Sequence, residues 1–354
     1  MTPLDSFLLR LPKAELHVHL EGSMPPATLW ALAQRHRIDL PVSGPEGLDE
    51  WFRFRDFEHF VEVYLTLSRC LKEPEDFRLL MADFLTEQAR QNILYTEVHF
   101  TLATHIGNGA DGRAVLDALH EAMEDGRRRH GIGIRLILDI VRNAPLSHAD
   151  STLEWSLAGR DRGVVAMGVS GIEKGLPNEP YREHFRAAEA AGLRCVAHAG
   201  EHAGPESIRS VLEVCRAERV GHGVRAVEDP ALVAELAASG IPLEVCPTSN
   251  VRLGVFPSLA EHSFDALHRA GAAVTVNSDD PPLFGTTLTD EYRALAVTFG
   301  YTPVELVEFA RRAFEHAFLS PEERGHFERR FERETAALAQ ELGIDLNPSA
   351  AAGP

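Results

Sequence analysis

Short apolar runs alternate with amphipathic segments along most of the chain. Eight of these runs have the length and composition of buried strands, and they lie at Leu11–Gly22, Ile93–Phe100, Ile134–Val141, Gly163–Val169, Arg194–Glu201, Arg219–Val224, Ile241–Pro247 and Ala272–Pro281. Between them lie segments with apolar residues three and four positions apart, such as Pro25–Ile38 and Val115–His130. That spacing predicts amphipathic helices.

Alternating strands and helices favour a parallel sheet, because the connection between two parallel strands usually contains a helix. Eight β/α units in 354 residues fit a closed (β/α)8 TIM barrel better than an open doubly wound sheet. We expect an α/β protein in which additional N- and C-terminal helices flank the barrel. Residues 1–345 are predicted to form a single domain, and residues 346–354 a flexible C-terminal tail.

One predicted helix, which starts near Trp51 and continues through Leu67, is unusually aromatic. It contains Phe57 and Phe60, which have two interpretations. Both rings can belong to the core, where aromatic side chains bury large areas. Alternatively, they form an apolar lid that excludes water from the mouth of a pocket.

Composition and charge narrow the kinds of molecule that the protein is expected to bind. The chain is 44% hydrophobic, which is ordinary for a globular protein, but 53 acidic residues against 35 basic ones give a net charge of -18. Such a surface repels phosphate backbones and anionic membranes, so a nucleic acid polymer or a membrane is not an expected partner. A small neutral or cationic molecule fits better.

Cysteine usage and hydropathy indicate the compartment. Cys70, Cys195, Cys215 and Cys246 are far apart and form no CxxC pair, which argues against a disulfide framework and a cysteine-only zinc site. Residues 1–10 do not read as a signal peptide, and no run of 18 apolar residues predicts a membrane span. We expect a cytoplasmic protein. The sequence indicates no oligomeric state.

Polar residues cluster where four of the predicted strands end. His17 and His19 are two positions apart in a strand, so their imidazoles share one face about 7 Å apart and can converge on one ion. The other members of the set follow later strands: His198, Glu201, His222, Asp279 and Asp280. Active sites of β/α barrels assemble at this end, and imidazoles with a carboxylate are ligands that Zn²⁺ prefers. We therefore expect a catalytic metal site.

The runs AELHVHLEG, CVAHAGE, RVGHGV, LEVCPTSN and TVNSDDP resemble, in order and spacing, the five signatures of the adenosine/adenine deaminase family of metal-dependent hydrolases. The resemblance extends from Leu11 to Phe318. It implies one Zn²⁺ per chain, although other divalent metals are possible. The implied ligands are His17, His19, His198 and Asp279, and the residues implied to contact the purine or the attacking water are Gly171, Glu201, His222 and Asp280.

The chemistry of deamination requires these residue types. A metal lowers the pKa of a bound water from ~15.7 toward ~7, which makes it nucleophilic at neutral pH. His222 can take or hold the proton of that water. Glu201, if a dry pocket keeps it protonated, can supply a proton to ring N1, and Asp280 can hold N7.

The motifs point to different substrates at different positions. Glu21 occupies a position where adenosine deaminases usually have Asp, and it resembles the adenine deaminases; Gly221 resembles the nucleoside deaminases. Aminodeoxyfutalosine deaminases share the metal motifs and are a third candidate. We expect adenosine or 2′-deoxyadenosine first, because a free Glu21 carboxylate would accept a bond from a ribose hydroxyl and repel a carboxylate-bearing substituent. Alternatively, Glu21 pairs with an Arg and shapes the loop.

Three rival interpretations are weaker. The deaminases that hold zinc with a His and two Cys need a PCxxC motif, whereas Cys246 has no partner and is expected to be a buried strand residue. A binding protein that lost its chemistry would lack a ligand or Glu201, and none is missing. An amide or phosphoester hydrolase would not need an acid three residues after the ligand His198.

Overall fold

The structure is a computed structural model that describes residues 2–347. Eight parallel strands pair in chain order, β1 with β2 and so on to β8. Their bounds are β1 Lys13–His19, β2 Ile93–Phe100, β3 Gly133–Val141, β4 Val164–Ser170, β5 Arg194–Ala199, β6 Arg219–His222, β7 Leu243–Val245 and β8 Val274–Val276. A parallel bridge between Val18 and Asp279 joins the end of the series to β1. The predicted (β/α)8 barrel is therefore confirmed.

Helices surround the barrel and connect its strands. In chain order they are α1 Pro3–Arg10, α2 Pro26–His36, α3 Leu48–Trp51, α4 Phe57–Cys70, α5 Pro74–Arg90, α6 Leu102–Gly107, α7 Gly112–His130, α8 Leu146–Ala158, α9 Arg182–Ala190, α10 Pro205–Val214, α11 Pro230–Ser239, α12 Pro247–Arg252, α13 Phe264–Arg269, α14 Pro281–Phe284, α15 Leu288–Phe299, α16 Pro303–His316 and α17 Pro321–Leu342. Helices α2–α5 lie between β1 and β2, and α15–α17 follow β8, which agrees with the expected additions.

Two features of the connections differ from the sequence pattern. The aromatic segment is not one helix, because the chain leaves α3 after Trp51 and starts α4 at Phe57, where the side chain of Asp56 caps the new helix. Short helices also follow β7 and β8 directly, and each begins with a proline. Proline suits the first helical turn, which needs no N–H donor, so Pro247 and Pro281 turn the chain sharply at the strand ends.

The inside of the barrel holds few apolar side chains. Ile137, Ala166 and Val196 form a small buried cluster there, separate from the large core between strands and helices. Buried charges accompany them: the Arg219 guanidinium forms ion pairs with Glu97 at 2.6 Å and with Glu244 at 2.5 Å. A barrel interior filled with paired charges is rigid, and it supports the polar centre at the carboxyl end.

Within residues 2–347, no helix combines the length and the apolar character that crossing a membrane requires. The assignment of residues 1–345 to a single domain stays a prediction. So does the flexible tail at 346–354, of which residues 348–354 lie outside the part of the chain that the structure describes.

Candidate active site

The carboxyl ends of the strands bring the expected residues to one side of the barrel. His17 and His19 come from β1, and His198 from β5. Asp279 follows β8 and is hydrogen-bonded through its backbone to β1: the His19 N–H donates to the Asp279 carbonyl at 2.8 Å, and the Asp279 N–H donates to the His17 carbonyl at 3.2 Å. Closure of the barrel thus places the last expected ligand beside the first two.

The ligand atoms converge on one point. His19 Nε2 lies 3.1 Å from His198 Nε2 and 3.3 Å from Asp279 Oδ1, and His17 Nε2 lies 3.6 Å from the same oxygen. Ligands at the usual zinc distances of 2.0–2.1 Å lie about 3.3 Å apart around one ion. The three separations are close to that value, and His222 also lies in a group of possible metal ligands with His17, His198 and Asp279.

The outer atoms of the ligands are hydrogen-bonded so that their free atoms face the centre. His17 Nδ1–H donates to Glu244 Oε2 at 2.9 Å, and His198 Nδ1–H donates to the Val169 carbonyl at 3.1 Å. Ser249 Oγ–H donates to Asp279 Oδ2 at 2.6 Å. His17 Nε2 is buried without a hydrogen-bond partner. A buried nitrogen without a hydrogen-bond partner, among groups of this kind, is typical of a metal ligand.

Electrostatics of the centre favour a cation. Burial lowers the pKa of His17, but Asp279 and Glu244 outweigh burial and raise it to about 10. The same balance of burial against Asp279 and Asp280 raises the pKa of His19 to about 9. The carboxylates therefore hold positive charge here, as protons or as a metal ion that replaces them.

Two residues of the centre have an unusual backbone conformation. His222 and Asp279 have φ values of 61° and 66°, in the left-handed region that non-glycine residues rarely adopt. Asp279 is held there by its two hydrogen bonds to β1. Strain of this kind persists where surrounding structure fixes the chain, and it is common at functional sites.

Glu201 lies beside His222. Its Oε2 is 3.7 Å from His222 Nε2 and 3.2 Å from His202 Nδ1. Burial raises the pKa of Glu201, but His222 and His202 outweigh burial, and the net pKa lies below the ordinary value. The two imidazoles therefore oppose the effect of burial on this carboxyl.

Glu173 holds the loop that carries Glu201. Its buried carboxylate accepts hydrogen bonds from four consecutive backbone N–H groups, those of Gly200, Glu201, His202 and Ala203, the last two at 2.8 and 2.9 Å. A carboxylate that accepts several backbone hydrogen bonds fixes the loop strongly. Sequence reasoning did not single out Glu173, because its partners lie about 30 residues away on another loop.

Asp280 and Gly171 both line the same cavity. Burial, and then the charge of Asp279, raise the pKa of Asp280 well above its ordinary value. Asp280 Oδ1 is buried without a partner, and Gly22 makes room for it, since a Cβ there would lie 1.6 Å from that oxygen. Gly171 has a φ of 83°, which a side chain would strain.

Glu21 is held by neighbours other than the expected Arg. It is fully buried. The Thr101 N–H donates to Oε1 at 3.0 Å and His105 Nε2–H donates to the same oxygen at 3.0 Å, while the Tyr64 hydroxyl is 3.4 Å from Oε2. Thr101 and Tyr64 line the cavity in front of it. Glu21 is therefore not a free carboxylate, because donors of the protein itself bind it.

The cavity at the centre measures about 870 Å³ including its open mouth. Its outer wall is mostly apolar and contains Phe57, Phe60, Val61, Leu65, Ile172 and Leu253. Phe60 stacks on Phe284 with ring centroids 5.6 Å apart, whereas Phe57 packs against His202 at 4.5 Å. Both expected lid residues are half-buried at the mouth, so they contact the cavity and also pack on the protein. Whether they act as a lid stays a prediction.

Sequence reasoning missed the residues that support the centre. Glu244 lies inside the LEVCPTSN run, where its alternation with two apolar neighbours points it into the barrel. His99 of β2 packs 5.0 Å from the His19 ring and donates from Nδ1 to Asp139 at 3.0 Å. The alternation of side chains along a buried strand could have shown that Glu244 and His99 point into the barrel. It could not have identified their partners.

Comparison with known proteins gives consistent results. The family model described as adenosine deaminase matches residues 12–332. An aminodeoxyfutalosine deaminase from Streptomyces avermitilis is 42% identical over 89% of either chain. An adenine deaminase from Vibrio parahaemolyticus is 36% identical over 94% of this chain and 98% of its own. The crystal structure of an amidohydrolase from Burkholderia ambifaria, with bound zinc, superposes with a TM-score of 0.89 at 28% identity, covering 98% of this chain and 96% of that one.

Proposed function

Because the chain belongs to the adenosine deaminase family and is a metal-dependent deaminase, we propose that it removes ammonia hydrolytically from C6 of an aminopurine, with aminodeoxyfutalosine as the substrate. The observation that carries the reaction type is the convergence of three imidazoles and one carboxylate beside Glu201. A metal ion, a water and an acid within one cavity are what attack at an amidine carbon requires. The substrate is argued separately below.

The four expected ligands would hold one Zn²⁺, since the separations measured among their atoms are 3.1 to 3.6 Å: His17, His19, His198 and Asp279. When bound, the ion supplies a nucleophilic water at neutral pH. The relative from Burkholderia ambifaria, which contains zinc, supports this choice of metal.

The remaining residues orient the purine and move protons. Asp280, whose Oδ1 is buried without a partner, would hold ring N7 by a hydrogen bond. Glu201 would meet ring N1, which gains electron density as C6 becomes tetrahedral. Gly171 brings backbone to the cavity wall without a side chain between it and the ring. Together these groups bind the purine in one orientation, with C6 toward the metal ligands.

The choice of aminodeoxyfutalosine replaces the expectation of adenosine. The expectation relied on a free Glu21 carboxylate, whereas Glu21 is buried and accepts hydrogen bonds from Thr101 and His105. The relative of 42% identity is an aminodeoxyfutalosine deaminase. Gly221, which resembles the nucleoside-type members, packs its α-carbon against His17, and a Cβ there would lie 2.7 Å from the His17 ring.

The apolar character of the cavity wall supports the larger substrate. A bare purine would leave the apolar outer wall from Phe57 to Leu253 exposed to water. A substituent that continues outward from the ribose would cover it.

Adenine is the second candidate. The adenine deaminase from Vibrio parahaemolyticus matches nearly its whole length, and Glu21 is the residue that resembles that group. The two candidates differ in everything attached to N9, so they are separable by kinetics. We expect kcat/KM for aminodeoxyfutalosine to exceed that for adenine and adenosine, with ammonia release as the assay. A clear preference for either of the smaller substrates would contradict the choice.

A pair of variants at the mouth tests the same point without disturbing the centre. Leu65 lines the cavity and its side chain is half exposed, so polar substitutions there are tolerable. Leu65→Asp should lower kcat/KM for aminodeoxyfutalosine roughly 5- to 10-fold, as a charge repulsion of ~1 kcal/mol or more requires, and Leu65→Lys should not. Adenine turnover should be unchanged in both. Equal effects on both substrates would show that the substituent does not reach Leu65.

A further inference from the structure

A chain of three buried side chains leads from the centre to the protein interior. Asn250 Nδ2 lies 3.2 Å from His222 Nδ1, and His262 Nε2 lies 3.1 Å from Asn250 Oδ1. At the far end, the backbone N–H of Phe264 donates to His262 Nδ1 at 3.0 Å. None of the three side chains is more than 4% exposed. Water therefore does not replace any partner in this chain.

The protonation of His262 follows from its backbone neighbour. A backbone N–H can only donate, so His262 Nδ1 must be the unprotonated acceptor. Burial, and then the proximity of His222, lower the pKa of His262 to about 3, which makes the ring neutral at pH 7. The single proton of the neutral ring is consequently on Nε2, and this N–H faces Asn250.

The orientation of Asn250 follows in turn. Only the oxygen of an amide can accept, so Oδ1 must face the N–H of His262 and Nδ2 must face His222. The backbone of Asn250 is fixed on both sides, because its N–H donates to the Cys246 carbonyl at 3.0 Å and its carbonyl accepts from Val255 at 2.8 Å. A rotated amide would place two donors against each other at each end.

His222 is therefore bound at Nδ1 by a group that can only donate. We propose that His262 and Asn250 are positioning residues that hold His222 with its proton on Nε2, so that His222 donates a hydrogen bond to the attacking oxygen and does not accept its proton. An Nδ1–H on His222, in the other tautomer or in the doubly protonated ring, would meet the Asn250 N–H. The hydrogen-bonded chain of His262, Asn250 and His222, called the relay below, thus selects one protonation form of His222 by geometry.

The proton of the attacking water then needs another acceptor. Glu201 Oε2 lies 3.7 Å from His222 Nε2, within reach of an oxygen that His222 binds. In this scheme, which rests on the proposed deamination, the O–H bond of the water breaks as its oxygen bonds to C6, and the proton passes to Glu201. Glu201 then delivers the same proton to ring N1. One proton is moved, and Glu201 returns to its charged form.

The direct test is the position of the proton on His222 in the metal-loaded enzyme. Long-range ¹H–¹⁵N correlation spectra of protein labelled in its 17 histidines distinguish a ring protonated at Nε2 from one protonated at Nδ1. The His222→Gln variant assigns the signal by its disappearance. We expect wild-type His222 to carry its proton on Nε2. A proton on Nδ1 would overturn the proposal, and it would do so without reference to any substrate.

Variants test whether the relay causes this protonation. Asn250→Asp replaces the donor by an acceptor, so Nδ1 of His222 should gain a proton and kcat should fall roughly 10²–10⁴-fold with little change in KM. His262→Leu removes the N–H that orients Asn250, whereas His262→Gln keeps a donor at that position. We expect mixed protonation and a lower kcat in the Leu variant, and recovery in the Gln variant.

The outcomes separate positioning from a structural role. Equal losses in His262→Leu and His262→Gln, with His222 still protonated on Nε2 in both, would refute a role for His262. An Asn250→Asp variant that binds its metal but keeps wild-type kcat would refute the donor role of His222. If the Asp variant does not fold, the wild-type spectrum alone decides. Failure of the substrate assignment leaves these spectra unaffected.

Discussion

Replacing Glu244 by Gln should weaken metal binding through His17. The Glu244 carboxylate accepts from His17 Nδ1 at 2.9 Å and forms an ion pair with Arg219 at 2.5 Å. Both neighbours are donors, but a Gln amide has one accepting oxygen and one donating NH₂. In the Gln variant the NH₂ group must therefore face one of the two donors, either His17 Nδ1–H or the Arg219 guanidinium. Partners that orient a metal-binding His are worth 10- to 100-fold in metal affinity, about 1.4–2.7 kcal/mol.

Glu97→Gln is the matched control. Glu97 pairs with the same Arg219 guanidinium at 2.6 Å and is equally buried, but it does not contact His17. Arg219 is only 1% exposed. Either substitution removes one of the two negative charges that neutralise its guanidinium. A loss of up to ~3–5 kcal/mol of stability is the size expected when a buried pair is broken. The two variants should thus be similarly destabilised but differ in metal affinity.

Competition with a chelator measures the Zn²⁺ affinity, and melts of the metal-free proteins measure stability. We expect affinity to fall 10- to 100-fold in Glu244→Gln and to stay within about twofold in Glu97→Gln. Equal affinities in both variants would refute the reasoning, because Arg219 alone would then account for the effect. Unchanged affinity in Glu244→Gln would show that His17 needs no carboxylate partner.

Acid stability offers a second readout of Glu244. Burial raises its pKa, but Arg219 and His17 outweigh burial and lower it to about 2 from an ordinary 4.5. The unfolded chain therefore binds the proton first, so this stabilisation is complete above about pH 4.5 and is lost as the pH falls toward 2. The Gln variant should lose less stability than wild type over that range. An identical slope would contradict the low pKa.

Three further outcomes are expected. Glu201→Gln should lower kcat by ~10²–10⁴ while the metal content stays at one ion per chain, because the amide cannot carry the proton; normal turnover would reassign the role. Exhaustive chelation should abolish activity and Zn²⁺ should restore it, and full activity in a verified metal-free sample would exclude the proposed centre. Phe57→Ala should raise KM with little change in melting temperature, whereas Phe60→Ala, stacked on Phe284, should lower stability by up to ~3–5 kcal/mol. A large melting shift with unchanged KM for Phe57→Ala would reject its lid role.

Local periodicity was sufficient to predict the architecture. A strand repeats every two residues and a helix every 3.6, and both periods are properties of a few consecutive residues. The alternation of eight runs therefore predicted the barrel, and the spacing of His17 and His19 predicted that two imidazoles share a face. The aromatic segment was predicted less well, because the break between α3 and α4 depends on a cap at Asp56 and not on periodicity.

The sequence by itself determined the strand order, the barrel and the set of residues that meet at its carboxyl end, because closure of eight parallel strands leaves little freedom there. Only the tertiary structure decided what those residues touch. Glu244 reaches His17, and Glu173 reaches the loop of Glu201, through contacts between distant parts of the chain. The Glu21 carboxylate accepts a hydrogen bond from His105, 84 residues away. Such partners depend on strand register and loop packing, which no local pattern encodes, and they set the charge and protonation of the site.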